Sequence, residues 1–213
     1  MLKLRIKFAK SGRAVYLSHL DIMRTFARGF VRAGLPLKHS EGFNPHPCLS
    51  IAHPLPVGFA GENELLDCEL ARTGAEGALE ALKAAMPEGL EILSAEEEFT
   101  PAKDIRMARY RLKLEYDAGS PLTAERIGEL LGRDEIPVVK RSKKGDKTVD
   151  LKEHIKSVSI EPRANGAEIT LDLTVKEAPI SPRLFIQSLG EELRPDYVSY
   201  VREGFYTEDG ERL

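Results

Sequence analysis

The residues best suited to chemistry crowd into the first sixty positions. Arg24, Arg28 and Arg32 recur every four residues, a spacing that lines up three guanidinium groups along one side of a helix. Each guanidinium is a planar fork of donors matched to phosphate, so such a row could follow a nucleic-acid backbone. The same row would serve equally as the solvated outer face of an amphipathic helix. Next comes Lys38-His-Ser-Glu-Gly-Phe-Asn-Pro-His-Pro-Cys48. On a proline-stiffened loop Phe43 could stack on a base and Asn44 could hydrogen-bond it. Lys38, His39 and His46 could meet anionic oxygens, as in proteins that hold single-stranded nucleic acid. The plainer alternative is a turn shaped by Gly42, Pro45 and Pro47 with Phe43 packed beneath it.

Metal and acid–base chemistry are the next possibilities. His19, His39, His46 and His53 fall within 35 residues of one another, together with Cys48. The gaps of 20, 7 and 7 residues contain no close ligand pair, so neither a metal site nor a resident cofactor is expected. Proton transfer to or from RNA would need a histidine near the arginines, which makes His19 the first catalytic candidate and His46 or His39 the second. A capping or core role for His19, beside Ser18 and Asp21, is the simpler reading. No phosphate-binding Walker loop, nucleophile elbow, dinucleotide fingerprint or CxxxCxxC cluster motif occurs. The sequence carries no sign of a self-sufficient enzyme.

Charge is divided unevenly. Residues 1–60 hold nine Lys and Arg against two Asp and Glu, a balance of +7, whereas residues 61–100 hold two against eleven, a balance of −9. The whole chain carries only −3. A local positive field can steer a polyanion toward a protein whose total charge is negative. A further basic turn, Lys140-Arg-Ser-Lys-Lys-Gly-Asp-Lys147, could contact phosphates or simply keep a strand edge soluble.

The elements that would position these groups follow from periodicity. Leu2, Leu4, Ile6 and Phe8 alternate with Lys3, Arg5 and Lys7, the signature of a strand with one buried face and one wet face. Ser18-His-Leu-Asp21 fits a capping box. From Ile22 to Ala33, the residues Ile22, Met23, Phe26, Ala27, Phe30 and Val31 predict a single apolar helix face, closed by Gly34. Prolines at 36, 45, 47, 54 and 56 exclude a long helix from the next stretch, where short strands are expected at Leu37–Ser40 and Leu49–Ala52. A strand over Glu64–Leu70, a helix over Gly74–Met86 and a strand over Leu90–Glu97 complete a β-α-β-β-α-β order, the ferredoxin-like arrangement. The pattern then begins again. Strands are expected at Tyr110–Tyr116, Ile136–Arg141, Val158–Ile160, Ala167–Val175 and Tyr197–Tyr206, and helices at Leu122–Leu131 (opened by Ser120-Pro121) and from Ser181-Pro182 to Leu189. Asn165-Gly166 marks a hairpin. The expected class is α+β: two tandem ferredoxin-like lobes, residues 1–100 and 105–213, the second with hairpin insertions.

At 213 residues, 42% hydrophobic and 31% charged, the chain has material for two such cores. No apolar run approaches the ~20 residues that a membrane helix needs, and the alternating N-terminus is unlike a signal peptide. Cys48 and Cys68 suggest reduced thiols rather than a disulfide framework. A cytoplasmic location with no membrane partner is expected.

Several ordered blocks are also familiar. Tyr16-Leu-Ser-His-Leu-Asp-Ile-Met-Arg24, Arg32-Ala-Gly-Leu-Pro36, Ser40-Glu-Gly-Phe-Asn-Pro-His-Pro47, Leu55-Pro-Val-Gly58 and Glu64-Leu-Leu-Asp67 together resemble the radical-SAM-linked protein family of bacteria. Members of that family occur beside, or fused to, cobalamin-binding radical SAM proteins. The match is dense over residues 3–70 and thinner beyond, where Val149-Asp-Leu151 echoes it. The resemblance implies a separate cobalamin-dependent radical SAM partner. Family neighbourhoods that include ribonuclease G and ribosomal-protein genes imply a role in RNA or ribosome maturation, with tRNA or rRNA as the bound molecule. Cys48 stands where relatives are expected to carry a basic residue. Tandem ferredoxin-like lobes further resemble the architecture of CRISPR repeat-processing endonucleases, a likeness of fold alone. Three readings result: an RNA-binding accessory module, a histidine-dependent RNA endonuclease or modifying enzyme, and a protein–protein adaptor for the radical SAM chain.

Overall fold

Alternation of apolar and charged residues builds the first strand, β1 (Leu2–Lys10), and a capped amphipathic segment follows as helix α1 (His19–Arg32). The computed structural model describes residues 2–71, 77–97, 99–117, 123–141, 145–175 and 179–213. The chain is a mixed α+β protein that divides into two units, Met1–Asp104 and Ile105–Leu213. The first unit continues with β2 (Leu49–Ile51), β3 (Ala60–Leu70), α2 (Ala78–Ala85) and β4 (Leu90–Glu96). Its strands lie in the order β4-β1-β3-β2, every neighbouring pair antiparallel. The second unit contains β5 (Met107–Glu115), α3 (Thr123–Leu131), β6 (Pro137–Lys140), β7 (Lys147–Asp150), β8 (Ile155–Arg163), β9 (Gly166–Thr174), α4 (Pro182–Ser188) and β10 (Tyr197–Tyr206). Its main strands are ordered β10-β5-β9-β8, again antiparallel, with β6 and β7 paired as a separate ribbon.

The core of the first unit forms where Leu4, Ile6 and Phe8 of β1 meet Ile22, Phe26 and Phe30 of α1 and Leu82 of α2. The Phe8 and Phe26 rings meet edge to face with centroids 4.8 Å apart, a favoured aromatic geometry. Ser18 caps α1: its hydroxyl accepts from the Asp21 N–H and donates to the Asp21 carboxylate at 2.6 Å. These bonds to Ser18, together with Arg24 nearby, outweigh partial desolvation and hold the Asp21 carboxyl below its usual value. At the other end the Leu35 N–H reaches the Phe30 carbonyl and the Gly34 N–H reaches that of Val31. This is a Schellman stop, and it needs Gly34 at its φ of 69°.

Several expectations need correction. Leu37–Ser40 is not a strand. It makes only isolated bridges, Leu37 to Leu70 and His39 to Pro47, because the prolines around it supply no N–H for a ladder. Arg5 was expected on the wet face of β1 but is 1% exposed. Val31 was expected in the core stripe but is 77% exposed. Strand β7 was not anticipated; Asp150 at its end accepts the N–H groups of Ile136 and Lys152, which pulls its carboxyl down. Residues 142–144 of the basic turn, 74–76 of the expected second helix and the Ser120-Pro121 helix opening lie outside the described residues. The Asn165-Gly166 hairpin forms as expected between β8 and β9. Gly166 has a φ of 155°, and a Cβ there would sit 2.0 Å from the Leu114 carbonyl oxygen, so the position admits only glycine.

One device occurs in both units. Arg5 on β1 sits directly opposite Asp67 on β3 and donates to both its carboxylate oxygens, at 2.6 and 2.8 Å. Arg109 on β5 sits directly opposite Asp172 on β9 and does the same at 2.7 and 2.7 Å. Phe99 lies 4.4 Å from the Arg5 guanidinium, and Tyr206 lies 5.0 Å from that of Arg109, close enough for cation–π attraction. Burial alone would raise the Asp172 carboxyl, but hydrogen bonds from Arg109 and Ser157 and the Arg109 charge outweigh it and hold the group low.

Asp67→Ala leaves a fully buried guanidinium without its carboxylate and should cost ~3 kcal/mol in urea unfolding; a loss below ~1 kcal/mol would refute that role. Because the folded Asp172 carboxyl is depressed, its contribution is complete above the unfolded value of ~3.9 and is lost as pH falls through the folded one. Asp172→Asn should therefore lose stability at pH 7, and its deficit relative to wild type should shrink below about pH 4.

Candidate nucleic-acid interface

Part of the charge asymmetry of the sequence is cancelled within the first unit. Strand β1 carries the early lysines and Arg5, and it lies between the acidic strands β3 and β4. Lys7 pairs with Glu96 at 2.8 Å, Arg5 with Asp67, and Lys3 approaches Glu69 at 3.9 Å. Lys38 also turns to Glu69, with Nζ 3.1 Å from the carboxylate, and this hydrogen bond and charge raise its pKa. Lys38 is thus a paired cation beside the sheet.

The longest row of outward-facing basic residues lies on α1, with Arg13 exposed shortly before it. Arg24, Arg28 and Arg32 are all exposed on it. Arg24 lies 3.6 Å from Asp21 in a loose surface pair, which contributes little. Arg32 directs Nε and Nη2 at the carbonyl of Ala85, the last residue of α2, at 3.2 and 2.6 Å. A cation at that position complements the helix C-terminus. Arg28 makes no hydrogen bond or ion pair among the described residues.

Helical geometry explains Val31. At ~100° per residue, nine residues place Val31 roughly opposite Ile22, so the expected stripe is two stripes. Ile22, Phe26, Gly29 and Phe30 are buried. Leu20, Ala27 and Val31 form a second, outward apolar row beside the arginines, and Leu20 and Val31 are exposed. Summing helical angles, rather than counting apolar residues at three- and four-residue spacing, would have found this row in the sequence.

The loop after α1 forms the other wall. A groove of about 520 Å³ runs between Ala27, Arg28, Val31 and Arg32 on one side and Pro36, His39 and Pro47 on the other. The loop is shaped by its own hydrogen bonds. Ser40 N–H donates to the His46 carbonyl at 2.9 Å, and the Ser40 hydroxyl accepts the His46 N–H at 3.1 Å. The His46 ring nitrogen Nδ1 lies 3.1 Å from that hydroxyl and 3.2 Å from the Asn44 carbonyl oxygen. His39 Nδ1 lies 3.2 Å from the Leu37 carbonyl oxygen. Phe43 is fully exposed at the tip, so it does not pack beneath the turn, and Asn44 beside it is exposed too. Arg28, Arg32 and His39 are thereby brought to one groove, with Phe43 and Asn44 at the tip of the loop that walls it. Lys38 is directed elsewhere.

His19 has a different setting. Its Nδ1 is buried and has no hydrogen-bond partner among the described residues, and the residue lines a cavity of about 10 Å³ with Lys10 and Glu64, both 1% exposed. That space suits about one water molecule and is far too small for a nucleotide. Among the described residues no group of three or more His, Cys, Asp or Glu could hold a metal ion, and no helix is long and apolar enough to cross a membrane. In the second unit an open cleft of about 980 Å³ contains Lys147, His154 and Lys156 together with Glu153, a mixed lining that the sequence did not single out.

The two thiols differ sharply. Burial, reinforced by the neighbouring Asp67 carboxylate, pushes Cys68 up to about 12, whereas Cys48 is half-buried at the groove's loop. Iodoacetamide at pH 8 should therefore modify native protein at Cys48 and reach Cys68 only after denaturation. Equal labelling rates at both positions, read by peptide mass spectrometry, would contradict this arrangement.

Comparison with known proteins adds a family and little more. No curated protein matches the chain. A crystal structure described as that of an unknown protein from Galdieria sulphuraria is similar over 95% of this chain and 97% of that one, at 15% identity and a TM-score of 0.26. A score that low carries no argument about fold. Residues 3–196 match DUF2344, described as an uncharacterized protein conserved in bacteria. That span takes in most of the chain, which therefore belongs to this family.

Proposed function

We propose that this protein is an RNA-binding accessory module that works with a separate cobalamin-binding radical SAM chain in RNA or ribosome maturation. The observation that carries the proposal is the outward face of α1, where an arginine row runs beside an apolar row against a groove walled by His39 and Pro47. Phosphate binding needs uncommitted cations and base binding needs accessible apolar or π surface; this face offers both within one helix and one loop. Arg24 and Arg28 meet phosphates, and Phe43 and Asn44 engage a base at the loop tip. The partner is suggested by the sequence blocks that resemble radical-SAM-linked proteins, most of which fall on α1, this loop and β3. The matching strand orders of the two units support reading both as ferredoxin-like lobes, with the β6–β7 ribbon inserted in the second.

Catalysis is assigned to the partner. His19 lines a space too small for substrate, and the His46 ring is engaged in shaping its own loop. Under this reading both histidines support the fold and neither moves a proton on RNA.

Filter binding with a labelled structured RNA tests the reading. With Arg24 and Arg28 engaged, log affinity should fall with log salt at a slope of about −1.4 to −1.8. Arg28→Ala should lower that slope by about 1 and weaken different sequences to a similar extent. Absence of binding at low salt would remove the proposal. Retention of a radical SAM chain through nuclease treatment, without any RNA affinity, would favour a protein adaptor instead.

A further inference from the structure

We infer that the groove between α1 and the loop is a pocket for an unpaired nucleobase, which makes single-stranded or bulged RNA the ligand in place of a duplex. This inference rests on the RNA reading above and narrows it. Two planar π groups line the groove, and each is held by a backbone carbonyl. The Arg32 guanidinium is fixed by two hydrogen bonds to the Ala85 oxygen. The His39 ring is held by its Nδ1 contact with the Leu37 oxygen. Because those bonds exist without ligand, little orientational freedom is left to lose on binding.

The rest of the lining is apolar, with Ala27 and Val31 on the helix side and Pro36, Leu37 and Pro47 on the loop side. Base faces stack on guanidinium and imidazole planes and tolerate apolar linings, whereas phosphates do not. The volume of about 520 Å³ lies within the ~300–1,000 Å³ of ordinary small-ligand sites. Arg28 also lines the groove and has no partner among the described residues, which leaves it to take the phosphate beside the inserted base. A duplex keeps its bases stacked inside and would present only its charged ridge to this apolar lining, leaving the groove unfilled. Charge therefore selects a polyanion, and shape and polarity select one with a free base.

Fluorescence anisotropy on the full chain, using a short single strand and a fully paired duplex of equal phosphate count, tests this. Wild type should prefer the single strand by about tenfold. Ala27→Leu, which fills part of the groove, and Arg32→Lys, which keeps the charge but removes the plane, should each erase most of that preference. Both should leave duplex affinity within about twofold, with circular dichroism verifying the fold of each variant. Equal affinity for strand and duplex, unaltered by either variant, would overturn the base pocket and leave the RNA reading standing. Failure of both RNAs to bind at low salt would overturn both. Binding of an acidic, leucine-containing peptide in place of either RNA would assign the groove to a protein partner and overturn the inference as well.

Discussion

A guanidinium held face to face with a carboxylate across two neighbouring strands fixes the register of each sheet. Arg5 with Asp67, and Arg109 with Asp172, are directly opposed residues. A slip of one position would separate each pair and turn every side chain of the strand to the other face. Arg5 is almost wholly buried and Asp172 nearly so, which makes a mismatch at either pair costly. Register in turn decides which residues of β1 face α1. Leu4, Ile6 and Phe8 meet the helix because Arg5 is held on the opposite side.

Once α1 is seated by that face, its outer surface is determined. Ile22, Phe26 and Phe30 go inward, so Leu20, Ala27 and Val31 cannot, and the arginines follow next around the helix. Arg32 reaches α2 because Gly29 allows a close approach; a Cβ on Gly29 would lie 2.7 Å from the Met86 sulfur. The same contact that ties the two helices together also fixes the guanidinium plane at the groove. Packing and the candidate site therefore share a residue, and changes at Arg32 must be read against both roles.

Electrostatics narrowed the surface. The early basic residues and the acidic residues that follow were opposed in sequence, and the sheet order placed them side by side, where Lys3, Arg5, Lys7 and Lys38 meet Asp67, Glu69 and Glu96. The exposed arginines of the first unit concentrate as a short stripe on one helix, with Arg13 just ahead of it. Lys38 left that stripe because Glu69 lies across from it on β3, and Arg28 remained because no acidic side chain among the described residues comes within reach.

The order of strands and helices was legible in the sequence because it depends on local periodicity. Two-residue alternation marked β1, the Ser18 cap and Gly34 bounded α1, and Asn165-Gly166 marked the hairpin between β8 and β9. Those signals act over a few residues and do not need the fold. Long-range facts were not legible. Arg5 looked like a surface charge until Asp67, sixty-two positions away, and Phe99 enclosed it. His19 was legible as a histidine at the start of α1, but the burial of its Nδ1 and the small cavity beside it depend on residues as distant as Glu64. Sequence determined which segments form and which residue types they carry, because dihedral preference and capping are local. Tertiary structure alone decided which charges are spent on one another and which face water, because pairing and burial depend on neighbours that the chain brings together only by folding.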